Sequence, residues 1–493
     1  MAGCLAADAV ATNFHNYLSF NVLPNQSCAV FPLMAIRQLY LKGFSHHLFG
    51  SAPRSCANSL IEASNDIDGI SRLAGHFFPA SLLAGSNCVF STLVTFWAFL
   101  CQVLTRDASC RAALANVQAR RASQGKSCPS QSTGAYCLAR KRLPLNTLRA
   151  IFEAVGAWIA RRHEGSLPLL AGRVVRVLDG TGISMPDSPK NRAKWSYPGN
   201  QKPGCGFPAI KLVALFCLGT GRMIKFAFDE WKQSEFNLAR QVPGWLNKAD
   251  VVLTDCGFCS WALIAAFLEK QIDVVMRLHQ ARKDKAGTSV WKKPQRTKSW
   301  SKQEWNALPP KLVMRIIEFR VLIPGFRTER ITLCTTLLDT EKYSDEAIIE
   351  LYMKRWNVEL YIRNIKVTLG LDVVRCMSPE MVEKEIWMQA IAHNMVRALM
   401  VEAAMTHGVA LERLSFKGTV DRMRKWSGWM NHAKPRTNKT LLAELLRLIA
   451  SDQVPLRPYR VEPRAVKRRP KSYQWLTKPR HEMVVSHSRR KKK

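Results

Sequence analysis

The sequence predicts an α/β protein: a strand–helix core set between a helical N-terminal region and a helical, basic C-terminal region. Three observations predict it. Before residue 165, apolar residues recur at helical spacing, as in Leu148, Ile151, Phe152, Val155 and Ile159. From Arg173 the composition turns β-branched, and the segments read β, β, β, α, β, α, β. After Ser378 the chain reads as amphipathic helices again, to about Ala450.

Taken in order, residues 1–70 mix short apolar runs with Asn, Ser and His and show no period. Helices are expected at Val89–Leu104 and Cys110–Arg121, then a Ser/Gln/Gly/Lys loop over Ala122–Gly134, then a helix over Ala135–Arg142. Asn146 is placed to cap a helix that runs to about Arg161. The basic residues of this part can lie along DNA or simply form a solvated face. The run Val174 to Leu178 is a strand ending in Asp179-Gly180-Thr181. A Pro/Gly/Lys-rich loop fills 186–208. Ile210–Leu218 and Met223–Phe228 meet across Gly219-Thr220-Gly221 as a hairpin. A helix from Ser234 to about Gln241 follows. The strand Val251–Leu253 closes on Asp255, and a helix over Ser260–Lys270 leads into the strand Val274–Leu278. This last β-α-β unit should form a parallel pair with a right-handed crossover. Residues 280–310 are polar and basic and carry Trp291, Trp300 and Trp305; strands follow at Val313–Leu322 and Arg330–Leu338. The stretch reads as an insertion with a small sheet of its own. Its tryptophans can stack on exposed bases or form its core, and the core reading is preferred. Ser378-Pro379-Glu380 opens a helix that Gly408 stops.

Length and charge narrow the function. The chain has 493 residues, 47% of them apolar, enough for two or three domains with a real core. Its formal charge is +36, and residues 1–110 balance, with five basic and five acidic residues, so all the excess lies beyond them. So basic a chain attracts polyanions, nucleic acid first and anionic membrane second. The apolar run Val89–Leu104 is short for a span of roughly 20 residues and is read as a buried helix. The N-terminus carries no positive leader segment, so the fourteen cysteines are expected as free thiols in a reducing cytosol. Cys256-x-x-Cys259 has no second pair to complete a zinc site and is read as structural. The tail from Pro455, ending in Arg489-Arg490-Lys491-Lys492-Lys493, is expected to stay disordered until it meets an anion.

The chemistry gathers in Tyr352–Lys366. On one continuous helix Tyr352, Arg355, Glu359, Arg363 and Lys366 fall within an arc of roughly 80°. Leu351, Val358, Ile362, Ile365 and Leu369 flank it on one side, and Trp356, Leu360 and Val367 on the other. Fixed cations around a carboxylate favour its charged form. Such a group suits a divalent metal on a phosphate, with Arg and Lys gripping other phosphate oxygens. A salt-bridged surface helix, with Arg355–Glu359 and Glu359–Arg363 at i,i+4, is the alternative. Two further carboxylates favour the first reading. Asp179 ends the first strand, and Asp255 ends a strand expected beside it. Ligands collect at the carboxyl ends of parallel strands. Three carboxylates suffice, with phosphate and water, for two metal ions about 4 Å apart.

Tyr352-x2-Arg355-x3-Glu359-x6-Lys366 resembles the Y-R-E-K signature of the DDE transposases of bacterial insertion sequences, the insertion-sequence-four group. Asp179-Gly180-Thr181 resembles that group's first Asp motif, and Thr254-Asp255-Cys256-Gly257-Phe258 its second. The resemblance covers roughly residues 85–425. It implies a ribonuclease-H-like catalytic core with a β-rich insertion between the second Asp and the Glu. It implies cut-and-paste transposition, by hydrolysis at the element end and then strand transfer through a hairpin intermediate. Asp179, Asp255 and Glu359 would hold two Mg²⁺ ions per site, with Mn²⁺ able to substitute. Tyr352, Arg355, Arg363 and Lys366 would contact DNA. The implied partners are double-stranded DNA, both terminal inverted repeats and target, and a second copy of the chain in a synaptic homodimer, with no membrane. The implied location is the bacterial cytoplasm, on the nucleoid. One feature departs from the group: Arg330–Asp339 contains no tryptophan of the kind some members use to hold a flipped base. The division expected is an extension at 1–70, a helical, DNA-binding region at 71–165, a catalytic domain at 166–400 with its insertion at about 280–340, a helical region at 401–450 and a basic tail at 451–493. The alternative function is a non-cleaving, decayed remnant of such an element that still binds DNA.

Overall fold

The computed structural model describes residues 88–455, apart from 106–107, 164–169, 200–204, 280, 322–329 and 433–434, together with 478 and 482. The expectations for residues 1–70 and for nearly all of the tail lie outside the described residues. The first helices are α1 (Thr92–Leu104), α2 (Cys110–Ser123), α3 (Gly134–Arg142) and α4 (Leu145–His163). Ser91 and Ser109 cap α1 and α2 by accepting the Val94 and Ala112 N–H groups. Asn146 is not a cap. The helix α4 starts one residue earlier, directly after Pro144, whose carbonyl accepts the Leu148 N–H. Proline's fixed φ starts the turn without a side-chain acceptor. The apolar run forms α1 from Thr92 onward, and its Phe96, Phe99, Leu100 and Val103 are buried in the main core. Among the described residues no helix is long and apolar enough to cross a membrane.

One eight-stranded sheet follows, with spatial order β3-β2-β1-β4-β5-β8-β7-β6. Its strands are β1 (Val175–Ser184), β2 (Ala209–Cys217), β3 (Met223–Glu230), β4 (Val251–Thr254), β5 (Asp273–Arg277), β6 (Gly287–Lys292), β7 (Lys311–Arg320) and β8 (Arg330–Thr335). The first three run antiparallel, while β4 and β5 run parallel to β1. All four residues of β4 are buried, as a strand covered on both faces requires. The short helix α5 (Pro189–Lys194) lies between β1 and β2, α6 (Glu235–Ala239) follows β3, and α7 (Trp261–Glu269), capped by Ser260, is the crossover from β4 to β5.

Two sequence expectations change here. The insertion has no sheet of its own: β8 pairs antiparallel with β5, so its strands extend the main sheet. Without β8, β5 would present an open row of unpaired backbone groups. Nor does β1 end at Asp179. It continues to Ser184, because β2 pairs along its whole length, Arg176↔Cys217 to Ser184↔Ala209.

The two faces of the sheet carry separate cores. Val175, Val177 and Ile183 face the one shared with α1, α4 and α11 (Pro379–His407). Leu178 faces the other, shared with α6, α7 and the insertion. Trp291, Trp300 and Trp305 are buried in that second core, with Trp305 against Trp261 at 5.8 Å between ring centres. The short α8 (Lys302–Ala307) supplies Trp305. The tryptophans therefore serve as the insertion's core and not as base-stacking platforms. The long helix α11 ends where expected, at Gly408, whose φ of +64° is the left-handed cap. Two more helices, α12 (Phe416–His432) and α13 (Pro435–Ser451), complete the described chain.

Candidate active site

The backbone makes an opening beside Asp179. Antiparallel pairing with β2 continues past it, but parallel pairing of β1 with β4 stops at Val177↔Leu253. The same edge of β1 is taken up again at Ser184, whose N–H donates to Asp372 O at 3.0 Å and whose carbonyl accepts the Val374 N–H at 3.0 Å. Residues 178–183 thus line a gap in the ladder. Alternation turns Asp179 and Thr181 to the same face as Val177 and Ile183. Asp255 comes one residue after β4, as the N-cap of a short 3₁₀ turn, Cys256–Phe258.

Each aspartate accepts one local backbone N–H. Asp179 Oδ1 takes Gly180 N at 2.8 Å, and Asp255 Oδ1 takes Gly257 N at 2.9 Å. Burial pushes the Asp179 carboxyl up to about 6; the Gly180 N–H and the Arg355 charge oppose the rise, and the Asp255 and Glu359 charges add to it. Asp179 therefore feels both other carboxylates.

The Y-R-E-K stretch is not one helix. It runs as α9 (Asp345–Lys354), a tight joint at Arg355-Trp356, α10 (Asn357–Arg363) and a π turn over Asn364–Thr368. At the joint the hydrogen bonds shorten to three-residue steps, Arg355 N to Tyr352 O at 2.9 Å and Val358 N to Arg355 O at 2.9 Å. In the π turn they lengthen to five, Leu369 N to Asn364 O at 3.1 Å. The tight joint overwinds the chain and the π turn unwinds it, so the even arc expected from a regular helix is not kept.

Tyr352 and Arg355 lie inside, with Tyr352 only 2% exposed and the Arg355 guanidinium 5.5 Å from the centre of its ring. Burial pushes the Tyr352 phenol up to about 12, against the opposing charges of Arg355 and Arg277. Glu359 points outward: its side chain is 64% exposed against 8% for Arg355, and the two are 3.4 Å apart. Lys366 Nζ donates to Thr181 Oγ1 at 3.0 Å, which ties the π turn to the gap in β1. Arg363 is exposed, and of the two ion pairs of the surface-helix alternative only Arg355–Glu359 forms. One apolar shoulder is buried as expected, through Val358, Ile365 and Leu369, but Leu360 and Val367 on the other side are exposed.

Sequence reasoning missed Arg277, at the carboxyl end of β5. Its strand runs parallel to β4 with Thr254↔Met276, which brings Arg277 level with Asp255. The signal was present, since a cation ending a parallel strand beside an aspartate points at the same rim.

The donor set is made of hard carboxylate oxygens, the type that Mg²⁺ and Mn²⁺ take. Among the described residues no three His, Cys, Asp or Glu side chains stand close enough together to hold a metal ion. Asp179 and Asp255 are within electrostatic reach, while Glu359 is drawn to Arg355. The residues fit a divalent ion in chemistry, and Glu359 would have to turn inward to join the two aspartates.

Three antiparallel strands followed by two parallel to the first, with carboxylates at the rim of β1 and β4 and on a later helix, define a ribonuclease-H-like protein of the DDE class. Residues 170–395 match the family described as the transposase DDE domain. The chain is 25% identical over 358 residues to transposase InsG for insertion sequence element IS4 of Escherichia coli (strain K12), covering 70% of this chain and 78% of that protein. A cryo-electron-microscopy structure of the piggyBac transposase synaptic complex with hairpin DNA overlays with a TM-score of 0.38 and 10% identity, over 84% of this chain and 85% of that one. So loose a likeness carries no argument. Residues 170–395 thus carry a transposase DDE domain, and the chain is insertion-sequence-four-like in sequence.

Proposed function

We propose that the protein catalyses cut-and-paste transposition of its own insertion sequence, by phosphodiester hydrolysis and strand transfer at the element ends. What supports this reading is the position of Asp179 at the gap in β1 and of Asp255 one residue past β4 beside it, within the stretch that matches a transposase DDE domain. Asp179, Asp255 and Glu359 would hold two divalent ions, Mg²⁺ or in its place Mn²⁺, which when bound activate the attacking oxygen and stabilise the leaving one. Arg355, 3.4 Å away, holds Glu359 oriented until the site fills. Tyr352, buried beneath Arg355, fixes the guanidinium rather than touching DNA itself. Lys366, held at Thr181, and exposed Arg363 bind backbone phosphates on either side of the scissile one. By family analogy the freed 3′-hydroxyl attacks the opposite strand to leave a hairpin end. Two copies of the chain bring two terminal inverted repeats together, in the cytoplasm on the nucleoid.

The test is a cleavage assay on DNA that spans the flanks of the protein's own gene, with Mg²⁺ or EDTA, beside Glu359→Gln. Discrete metal-dependent cuts, reduced about 1000-fold or more in the variant, are expected, with DNA binding kept. Salt-sensitive binding without cuts under any divalent metal would replace this reading with the non-cleaving remnant. Unchanged cleavage by Glu359→Gln would remove Glu359 from the site.

A further inference from the structure

We propose that Cys259 and Cys334 form a peroxide-reactive disulfide site that displaces the Asp255 turn when it closes. The two cysteines are 75 positions apart, yet their sulfurs are 3.5 Å from one another in the core under α7. Cys259 follows directly on the 3₁₀ turn that Asp255 caps. Cys334 lies on β8, paired with Met276 of β5. The partner of Cys259 is thus Cys334, not Cys256 of its own Cys-x-x-Cys.

The two thiols differ in the way an attacking and a resolving cysteine differ. Cys259 is 8% exposed and Cys334 is fully buried, so only Cys259 can meet a small oxidant. The neighbouring Cys334 thiol also draws the Cys259 thiol down, against burial, with a backbone N–H at His279 and the Arg282 charge assisting. In the first step Cys259 sulfur attacks hydrogen peroxide. An S–O bond forms, the O–O bond breaks, and the released hydroxide takes the Cys259 proton as water. In the second, Cys334 sulfur attacks Cys259 sulfur. The S–S bond forms, the S–O bond breaks, and the oxygen leaves as a second water with the Cys334 proton. Two thiols lose two electrons, and one peroxide gains them.

Closure brings the sulfurs to about 2.05 Å, a movement of about 1.5 Å. The turn Cys256–Phe258 must follow, and it carries the Gly257 N–H that holds Asp255 Oδ1 at 2.9 Å. A displacement of about 1 Å at a reacting group can lower a rate about 100-fold.

The experiment treats the full-length protein with graded hydrogen peroxide, blocks the remaining thiols, and maps peptides by mass spectrometry without reduction. A cross-linked pair containing Cys259 and Cys334 is expected, lost on dithiothreitol. In Cys334→Ser or Cys334→Ala, Cys259 is expected to stop at the sulfenic or sulfinic acid. Both residues still carrying the blocking group, at doses that oxidise exposed Cys128, would overturn the site; so would a link from Cys259 to Cys256. The coupling to Asp255 rests on the proposed transposase activity and is read separately. Metal-dependent cleavage should fall at least about tenfold on oxidation of the wild type and return with dithiothreitol. A mapped cross-link with unchanged cleavage would overturn the coupling. Absence of cleavage in the reduced protein would instead count against the proposed function, and the peptide map would still decide the disulfide.

Discussion

At Asp179-Gly180-Thr181-Gly182 the strand divides its labour by face. Asp179 and Thr181 look into the gap, where Thr181 receives Lys366. Gly180 and Gly182 look the other way, onto Glu235 and Trp231. A methyl group on Gly180 would come 2.7 Å from the Glu235 carboxylate, and one on Gly182 would come 2.6 Å from the Trp231 ring. The glycines let two side chains close over the back of the strand that carries Asp179. Their substitutions should differ. Glu235 can swing its carboxylate away, so Gly180→Ala should cost little. The rigid indole cannot, so Gly182→Ala should lose about 1–3 kcal/mol. Urea unfolding checks this: the midpoint should fall for Gly182→Ala with the slope unchanged, and stay near wild type for Gly180→Ala.

At the scale of elements, α11 holds the β2–β3 hairpin by its turn. His393 Nε2 meets Gly221 O at 2.9 Å, Asn394 accepts the Met223 N–H at 2.8 Å and donates to Met223 O at 2.9 Å, and Arg397 Nε donates to Thr220 O at 2.8 Å. This clamp fixes the hairpin whose β2 strand braces β1 along the gap. The His393 ring is fully buried, and burial lowers its pKa to about 3, with the Arg397 charge adding to the drop and the Gly221 carbonyl opposing it. Below about 6.5 the unfolded chain takes up a proton at this position that the folded chain refuses. Stability from His393 is therefore complete above pH 6.5 and is lost as pH falls toward 3. From pH 7 to 5.5 the loss should be about 1 kcal/mol. Thermal unfolding over that range should show the wild type falling more steeply than His393→Gln. Parallel curves would mean that His393 does not set the slope.

Across the whole molecule, charge and fold are segregated. The sheet and its two cores gather the apolar residues, and the +36 excess lies wholly beyond residue 110. Residues 456–493 alone carry fourteen Lys and Arg against two Glu. Each cation on a phosphate releases counterions, so affinity for DNA should fall linearly on a log–log scale with salt. Deleting 456–493 should weaken binding and flatten that slope by several units, while the thermal midpoint stays put. Fluorescence anisotropy between about 50 and 200 mM salt measures it. An unchanged slope would place the phosphate contacts elsewhere in the chain.

The sequence by itself determined whatever neighbours in the chain can settle. Ser234 and Ser260 cap α6 and α7, Gly408 ends α11, and Gly219-Thr220-Gly221 turns the hairpin, because each depends on a few adjacent dihedrals and one local hydrogen bond. The spacing of Tyr352, Arg355, Glu359 and Lys366, with Asp179 and Asp255, was also legible without coordinates, and so was the family. Only the tertiary structure decided what depends on distant partners. β8 joined the main sheet because β5 offered a free edge. Asp179 came to rest beside a gap because β2 is long and β4 short. The signature stretch broke at Arg355 because Tyr352 and Arg355 found burial against the sheet while Glu359 stayed in water. Cys259 met Cys334 across 75 positions. Local patterns fix each segment's own conformation, but edges, gaps and burial are properties of which segments meet.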